Sequence, residues 1–249
     1  PMCASGTTAR PYSKPFKFVT TCLAVPTMLH LTRSQVKVFH AVPDLLFEEN
    51  ARKESGVSAV AGLDEAGRGA LAGPVVAAAV MLPLDSPQKL MLLKEINDSK
   101  QLTAAKREHL AALITANALT FGIGSTPAAV IDKIGIIPAT KLDMLAALEQ
   151  LDPPADYLLI DGRIRLKNIP LRQQSIIRGD GKSLNIAAAS ILAKVSRDAF
   201  MVQLHTLYPQ YGFARHKGYG TEFHRRALAH WGPMPEHRLS FAPLCKTLV

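Results

Sequence analysis

The sequence predicts a mixed α/β layer fold. Short runs of valine, isoleucine, leucine and alanine, typical of buried strands, occur first as a neighbouring pair and then in alternation with longer segments of helical periodicity. With 249 residues, of which 48% are hydrophobic and 20% charged, the chain is long enough to bury one substantial core. These features favour one sheet with helices packed against it.

The first two predicted strands are neighbours along the chain. The runs VSAVAGLD (57–64) and GPVVAAAVMLP (73–83) are rich in β-branched residues and alanine, and the glycine-rich stretch between them indicates an unusual turn. Residues 103–119 then predict an amphipathic helix with Thr103 as its N-cap. Residues 119–124 predict the next strand.

The second half of the chain continues this alternation. Residues 138–151 predict a helix opened by Pro138. Short apolar runs at 157–160 and 176–177 predict two further strands. A long helix is expected over about 183–207, and its many small residues predict that it packs closely against the sheet.

The charge balance favours a polyanionic partner. The chain has 29 Lys+Arg against 20 Asp+Glu, a net charge of +9, and its pI is about 9.6. Residues 1–40 contain five of the basic residues and no acid, so the remainder is only mildly basic. Any strong attraction to phosphates must therefore come from local clustering of basic residues.

The N-terminal segment and the cysteines say little about function. Residues 1–40 are expected to be a disordered or non-native N-terminal extension; the alternative is a cleaved targeting segment around the apolar run 18–31, which is too short to span a membrane. The cysteines are three and scattered, which argues against a disulfide framework or a zinc site and suits a reducing compartment.

Four acidic residues follow predicted strands and lie close to glycines: Asp64, Glu65, Asp161 and Asp180. Ligands bind at the carboxyl ends of strands in open α/β sheets, so converging strand ends would gather these acids. Carboxylates without nearby histidine or cysteine suit Mg²⁺ or Mn²⁺, and a pair of such ions can act on a phosphodiester. The alternative is that each Asp-Gly pair is simply a turn, and spacing alone leaves both possibilities open.

The stretch GLDEAGRGALAG, from Gly62 to Gly73, allows four interpretations: a nucleotide cradle, a metal site, a reader of nucleic-acid backbone, or a tight turn with surface charge. Its glycines have the spacing GxGxxxG, a predicted strand follows it, and no Lys-Ser/Thr pair is present. This pattern disfavours a Rossmann or phosphate-loop cradle.

Six motifs occur in order along the chain: GLDEAGRGALAGPVVAAAV, NDSKQLTAAKRE, LLIDG, IRGDGKSLNIAAASILAKVSRD, YGFARHKGYGTEFH and HRLSFAP. Together they resemble bacterial ribonuclease HII, the type 2 ribonuclease H. The resemblance covers about residues 43–244.

The resemblance implies a ribonuclease H-like fold, a mixed β-sheet flanked by helices. It implies a catalytic domain of residues 41–249 that includes a C-terminal helical part at about 208–249. The implied activity is that of a metal-dependent endoribonuclease that cleaves the RNA strand of RNA–DNA hybrids and nicks duplex DNA 5′ to embedded ribonucleotides, leaving 3′-hydroxyl and 5′-phosphate ends. The implied cofactor is Mn²⁺ or Mg²⁺, with two ions when substrate is bound.

The resemblance also assigns roles to individual residues. The implied catalytic and metal-binding quartet is Asp64, Glu65, Asp161 and Asp180. The implied substrate-binding residues are Gly67, Arg68, Gly69, Lys100, Lys182 and Tyr219. Of these, the GRG segment reads the ribose at the RNA–DNA junction, the tyrosine packs on the junction nucleotide and the lysines hold phosphates. The family usually has proline where this chain has Ala70, which is expected to loosen the loop slightly without removing a ligand.

Several other polar and aromatic residues are expected to be structural. Arg197 and Asp198 are interpreted as an ion pair, Trp231 as a core residue, and Arg238 as a residue near the substrate. Packing or phosphate contact is favoured over acid catalysis for two histidines, His216 and His224.

The implied partners are RNA–DNA hybrids and duplex DNA that contains ribonucleotides. A cytoplasmic monomer without membrane contact is expected, and replication or repair proteins are further candidate partners. The alternative function, from another class, is a catalytically silent hybrid-binding module, which would lack one of the four acids.

Overall fold

The computed structural model of the chain describes residues 42–167 and 169–246, so the predicted extension over 1–40 lies outside the described residues. The strands are β1 Val60–Ala66, β2 Val75–Met81, β3 Thr120–Thr126, β4 Tyr157–Asp161 and β5 Arg172–Ile176. They form one mixed sheet of order β3-β2-β1-β4-β5. β1 is antiparallel to β2 and parallel to β4; β2 and β3 are antiparallel, and β4 and β5 are parallel.

Helices connect and cover these strands. In the described part of the chain the α-helices are α1 Leu46–Ser55, α2 Pro87–Leu92, α3 Ala104–Asn117, α4 Ala128–Ile134, α5 Ile136–Leu148, α6 Leu184–Leu207, α7 Phe213–His216 and α8 Glu222–Trp231. Short 3₁₀ helices occur at Ser99–Gln101, Gly179–Gly181, Pro209–Tyr211 and Leu244–Lys246. The mixed sheet flanked by helices confirms the predicted fold class.

Both faces of the sheet are covered, and β2 is buried along its whole length. Ala78 and Val80 pack with α3 and α6 on one face. Ala77 and Ala79 pack with α5 on the other face. Burial on both faces explains why this strand is a continuous apolar run and does not alternate between apolar and polar residues.

The long helix α6 lies close to β1, as its small residues predict. A Cβ on Gly62 would lie 2.3 Å from the backbone carbon of Asn185, so only glycine allows this approach. The helix is capped by Ser183, whose Oγ accepts a hydrogen bond from the Ile186 N–H at 3.2 Å. The fully buried alanines of this helix are Ala187, Ala188, Ala189 and Ala193.

One predicted helix start is confirmed and another is wrong. Thr103 caps α3, and its Oγ1 accepts a hydrogen bond from the Lys106 N–H at 3.3 Å. The helix predicted to open at Pro138 instead begins at Ile136. Gly135, at φ 83°, ends α4 and lets α5 begin at once. The proline then falls in the first turn, where a backbone N–H needs no helical partner.

The C-terminal helices pack against the end of α6, where Met201 and Leu204 share a buried cluster with Phe213. Trp231 was predicted to be a core residue, but it is 59% exposed. It is the last residue of α8, whose buried residues lie nearer the start of the helix, and its ring contacts the His230 ring edge-on at 4.5 Å. Among the described residues, no helix is long and apolar enough to cross a membrane.

Candidate active site

The four predicted carboxylates lie at one edge of the sheet. Asp64 and Glu65 are close to the carboxyl end of β1. Asp161 ends β4, and Asp180 lies in the 3₁₀ helix that follows β5. Because these three strands are parallel, their carboxyl ends meet at the same edge. The Gly179 N–H donates to Asp161 Oδ1 at 2.6 Å, which links the end of β4 to the 3₁₀ helix that contains Asp180.

The carboxylates repel one another. Burial raises the pKa of Asp64 well above its usual range, and the three neighbouring carboxylates raise it further. Burial also raises the pKa of Asp161, with a second contribution from Asp180. The pKa of Glu65 is raised by burial against the opposing effect of Arg68, whose Nη1 lies 2.9 Å from Glu65 Oε1. The edge is therefore a place where positive charge is needed.

Lys100 supplies part of that charge. Its Nζ lies 2.5 Å from Asp180 Oδ2. Burial lowers the pKa of Lys100, but the hydrogen bond and charge of Asp180 outweigh this effect and raise it. The backbone positions the lysine too, since its N–H donates to Asp98 Oδ1 at 2.8 Å at the start of a short 3₁₀ helix.

The carboxylates fit a hard divalent cation by their chemistry. Among the described residues, no three Asp, Glu, His or Cys side chains already surround one ion position. Asp161 and Asp180 are instead held by protein donors. The donor set nevertheless contains only oxygen atoms, its members repel one another, and Glu65 Oε2 is buried without a hydrogen-bond partner. Such a set suits Mg²⁺ or Mn²⁺ better than zinc or copper.

A cleft of about 390 Å³ opens beside these acids. Most of the predicted site residues line it: Asp64, Glu65, Gly67, Arg68, Gly69, Lys100, Asp161 and Tyr219. Asp180 is linked to the cleft through Lys100. Lys182 is exposed and donates to the Ile177 carbonyl at 2.9 Å, outside the residues that line the cleft. Its predicted phosphate contact stays a prediction.

The glycines of the GRG segment have different surroundings. Gly67 has φ +92°, and a Cβ there would lie 1.9 Å from Arg197 Nε, so the position is closed on its inner side. At Gly69 a Cβ would meet no atom within 4 Å, so this position is open. Ala70 is buried, and its N–H donates to the Gly67 carbonyl at 3.2 Å, a bond that a proline could not make. This bond offsets the loosening expected from the missing proline.

Tyr219 also lines the cleft and lies in the loop between α7 and α8. It is 39% exposed, which leaves part of its ring open for packing. Arg197 Cζ lies 5.5 Å and Lys194 Nζ 5.8 Å from the ring centroid, within cation–π range. The ring is thus supported from α6.

Sequence reasoning missed four polar residues that also line the cleft: Ser99, Arg107, Ser190 and Lys194. The predicted ion pair between Arg197 and Asp198 is wrong. Asp198 accepts from Lys194 Nζ at 2.8 Å, and Arg197 is buried among backbone carbonyls. The spacing of four residues on a helix was the signal for the pair that does form.

Three buried histidines support the loop that carries Tyr219. His216 Nε2 lies 2.7 Å from the Tyr211 carbonyl, and His224 Nδ1 lies 3.0 Å from the Tyr219 carbonyl. His224 Nε2 lies 3.0 Å from His237 Nε2. Burial lowers the pKa of each ring, to about 4 for His224 and His237. Neutral rings in a packing role agree with the expectation for His216 and His224.

The chain is similar in sequence to known proteins. The chain is 53% identical over 203 residues to ribonuclease HII of Roseiflexus castenholzii, covering 82% of this chain and 90% of the relative. It is 50% identical over 208 residues to ribonuclease HII of Chloroflexus aurantiacus, covering 84% and 97%.

Solved structures show the same fold. The crystal structure of ribonuclease H2 from Pyrococcus horikoshii matches with a TM-score of 0.64 at 24% identity, over 76% of this chain and 96% of that one. Bst-RNase HIII, solved in complex with Mn²⁺, matches with a TM-score of 0.62 at 19% identity, over 80% and 71%. The family model for ribonuclease HII matches residues 61–244. The chain therefore belongs to the ribonuclease HII family, hydrolases with ribonuclease H activity on RNA–DNA hybrids (EC 3.1.26.4).

Proposed function

We propose that this chain is a metal-dependent endonuclease that nicks duplex DNA on the 5′ side of an embedded ribonucleotide, in addition to cleaving the RNA strand of hybrids, and leaves 3′-hydroxyl and 5′-phosphate ends. The observation that carries the proposal is that Asp64, Glu65 and Asp161 line one cleft with the GRG loop, while Asp180, which also repels Asp64, is joined to the cleft through Lys100. The acids suit a cation that a phosphodiester also needs, and the loop suits recognition of a ribose.

In this proposal the quartet Asp64, Glu65, Asp161 and Asp180 would hold Mg²⁺ or Mn²⁺. When bound, such ions supply Lewis-acid stabilisation of the charge that develops on the phosphodiester during hydrolysis. The buried, unpartnered Glu65 Oε2 is the oxygen best prepared to become a ligand. The site is suited to cations because its carboxylates are buried and repel one another, so their negative charge is not fully balanced by nearby positive charge.

The remaining site residues would bind and orient the substrate. The open position at Gly69 allows a sugar to approach the backbone within hydrogen-bonding distance. Lys100, whose side chain is 76% exposed, and Lys182 would contact phosphates. Tyr219, supported by cations on one helix, would pack on the junction nucleotide. A monomeric state and replication or repair partners stay predictions of the family resemblance.

The test is cleavage of an end-labelled DNA duplex that contains one ribonucleotide, with Mg²⁺, Mn²⁺ or EDTA. The wild-type chain should give a single nick 5′ to the ribonucleotide with either ion and none with EDTA. Asp64→Asn and Asp180→Asn should lose cleavage and keep duplex binding, because each removes a ligand charge and little volume. Glu54→Gln, an exposed acid in α1, is the matched control and should cleave normally.

Two outcomes would count against the proposal. Full activity in Asp64→Asn or Asp180→Asn would remove the quartet from the mechanism. Ribonucleotide-duplex binding by the wild-type chain without a nick under any metal would favour the catalytically silent hybrid-binding module instead.

A further inference from the structure

Two arginines are fully buried beneath the cleft. Arg197 in α6 and Arg238 in the C-terminal segment are both 0% exposed. Among the described residues, neither forms an ion pair with a carboxylate. Burial, and secondly the neighbouring Arg197, lower the pKa of Arg238 to about 10, which still leaves it charged at neutral pH. Burying a cation without a carboxylate partner is costly, so the hydrogen bonds that each of the two arginines makes must be important to the local structure.

Arg197 joins two segments of the cleft wall. It donates to the carbonyls of Ala72 and Pro74, at 3.0 and 2.8 Å, in the segment that follows the GRG motif. It also donates to the Lys217 carbonyl at 2.9 Å, at the start of the loop that carries Tyr219. The two segments touch directly as well, because the Leu71 N–H donates to the Gly218 carbonyl at 2.8 Å.

Arg238 holds the GRG segment itself. Its Nη1 donates to the carbonyls of Gly67 and Arg68, at 2.8 and 3.1 Å, and its Nε donates to the Gly73 carbonyl at 3.0 Å. The backbone around it is also paired, because the Arg238 N–H donates to the Leu71 carbonyl at 2.8 Å. One side chain from the C-terminal segment therefore fixes both ends of the loop.

These bonds orient the peptide groups of the GRG segment. In a trans peptide the C=O and the N–H point in opposite directions, and the cis peptides among the described residues lie elsewhere. Since Arg238 holds the carbonyls of Gly67 and Arg68, the N–H groups of Arg68 and Gly69 point to the other side of the loop. Neither N–H has an acceptor among the described residues, and both residues line the cleft.

We propose that Arg238, assisted by Arg197, is a positioning residue that presents the N–H groups of Arg68 and Gly69 to the ribose hydroxyl and keeps them in register with Tyr219. The C-terminal segment thereby determines how well the cleft distinguishes a ribonucleotide from a deoxyribonucleotide. This inference rests on the proposed function of the cleft and adds the residues that give the ribose-reading loop its geometry.

Arg238→Lys tests the proposal, because it keeps the charge and removes the planar fork that reaches several carbonyls at once. The measurements are kcat and KM for nicking a duplex with one ribonucleotide, and Kd for the same duplex made entirely of DNA. We expect kcat/KM to fall about tenfold, the value of one to two net hydrogen bonds, with the all-DNA Kd unchanged. Unchanged kcat/KM, or an equal loss of affinity for the all-DNA duplex, would overturn the proposal.

Two controls separate positioning from general destabilisation. Ile114→Ala truncates a fully buried side chain of α3 and should lower Tm while the ratio of ribonucleotide kcat/KM to all-DNA affinity stays at the wild-type value. Arg172→Lys makes the same chemical change at an exposed arginine, which donates to the Ser55 carbonyl at 3.3 Å on the edge strand β5, and should leave both values unchanged.

A measurement on the wild-type chain covers the case in which Arg238→Lys does not fold. Amide hydrogen exchange should be fast at Arg68 and Gly69, slow at Leu71 and Gly73, and slowed at the first pair by a ribonucleotide duplex but not by an all-DNA duplex. Protection of the Arg68 and Gly69 amides in the free protein would overturn the proposal. Absence of any ribonucleotide preference in the wild-type chain would instead contradict the proposed function.

Discussion

Lys100 can act in two ways at the edge of the sheet that carries the four carboxylates. Its ammonium lies 2.5 Å from Asp180 Oδ2, so in the free protein it neutralises one of the four acids. The same side chain is 76% exposed and lines the cleft, where a phosphate would arrive. We therefore expect the lysine to compete with a cation for Asp180 and to cooperate with the cation in binding substrate.

Lys100→Met should lower kcat/KM for cleavage and also lower the Mn²⁺ concentration that gives half-maximal activity. Two unit charges 4 Å apart interact by about 4 kcal/mol near a surface, so roughly a tenfold shift in half-saturation is expected after solvent screening. Metal titrations of nicking activity measure both effects. Lys53→Met removes an equal charge from exposed α1 and should leave the titration unchanged; an unshifted titration for Lys100→Met would contradict the competition.

The acids of this site could be predicted from the sequence, whereas most of their partners could not. Each carboxylate follows a short apolar run, and that local pattern is visible in the chain. Lys100 is 80 residues from Asp180, and no periodicity relates them. Arg238 is likewise 171 residues from Gly67. The missing side chain of Gly67 also makes room for the buried Arg197, besides giving the loop its conformation. Such long-range contacts depend on topology and appear only once the sheet is assembled.

At the scale of elements, a chain of histidines links the last two helices to the Tyr219 loop. The Gly218 N–H donates to His216 Nδ1, and the Met234 N–H donates to His237 Nδ1, so both nitrogens act as acceptors. His237 Nε2–H must then donate to His224 Nε2, which leaves His224 Nδ1–H to donate to the Tyr219 carbonyl. The three bonds that ring nitrogens accept, at His216 Nδ1, His237 Nδ1 and His224 Nε2, require neutral rings.

The contribution of these histidines to the stability of the folded state should therefore fall as the pH falls from 6.5 towards 4. The pKa of His224 and His237 is about 4 in the folded chain and about 6.5 when unfolded, so the unfolded state binds more protons in this window. Each histidine costs about 1.4 kcal/mol per pH unit there. Burial also raises the pKa of several acids, to about 7 for Asp143, and these groups act in the opposite direction; the others are Glu48, Asp64, Glu65 and Asp161. The difference in the free energy of unfolding between wild type and His237→Gln isolates the effect of the histidine.

Denaturant unfolding at several pH values measures that gap. Because glutamine does not titrate, the stability advantage of the wild type over His237→Gln should shrink as the pH falls from 6.5 to 4. A gap that stays constant across this window would mean that the rings are already charged in the folded state, or that the chain of hydrogen bonds is absent.

The elements themselves were predictable wherever a local signal marks them. Thr103 and Ser183 are good N-caps, and the helices that follow them begin as expected. The start of α5 was misplaced because a proline is tolerated anywhere in a first turn, and a neighbouring Gly135 set the boundary instead. Trp231 was misassigned because its burial depends on what covers the end of α8, which helical periodicity does not encode.

Across the whole molecule, the sheet concentrates negative charge at one edge of a basic protein. Three parallel strand ends converge there, and the chain buries or half-buries the acids instead of exposing them to water. Arg107, Lys100 and Lys194 line the same cleft. This arrangement separates two tasks, because the acids suit cations while the surrounding basic residues suit a nucleic-acid backbone.

The repulsion among the acids should make the stability of the whole fold depend on divalent metal. A cation that binds the folded chain at 100 times its Kd adds about 2.7 kcal/mol, which corresponds to a rise in Tm of about 5–10 °C for a domain of this size. Differential scanning calorimetry with and without Mn²⁺ measures this shift. Asp64→Asn should raise Tm without metal, since it relieves repulsion on a 5% exposed carboxylate, and should lose most of the shift with metal. Glu54→Gln should keep the full shift; an equal shift in both variants would place the metal elsewhere.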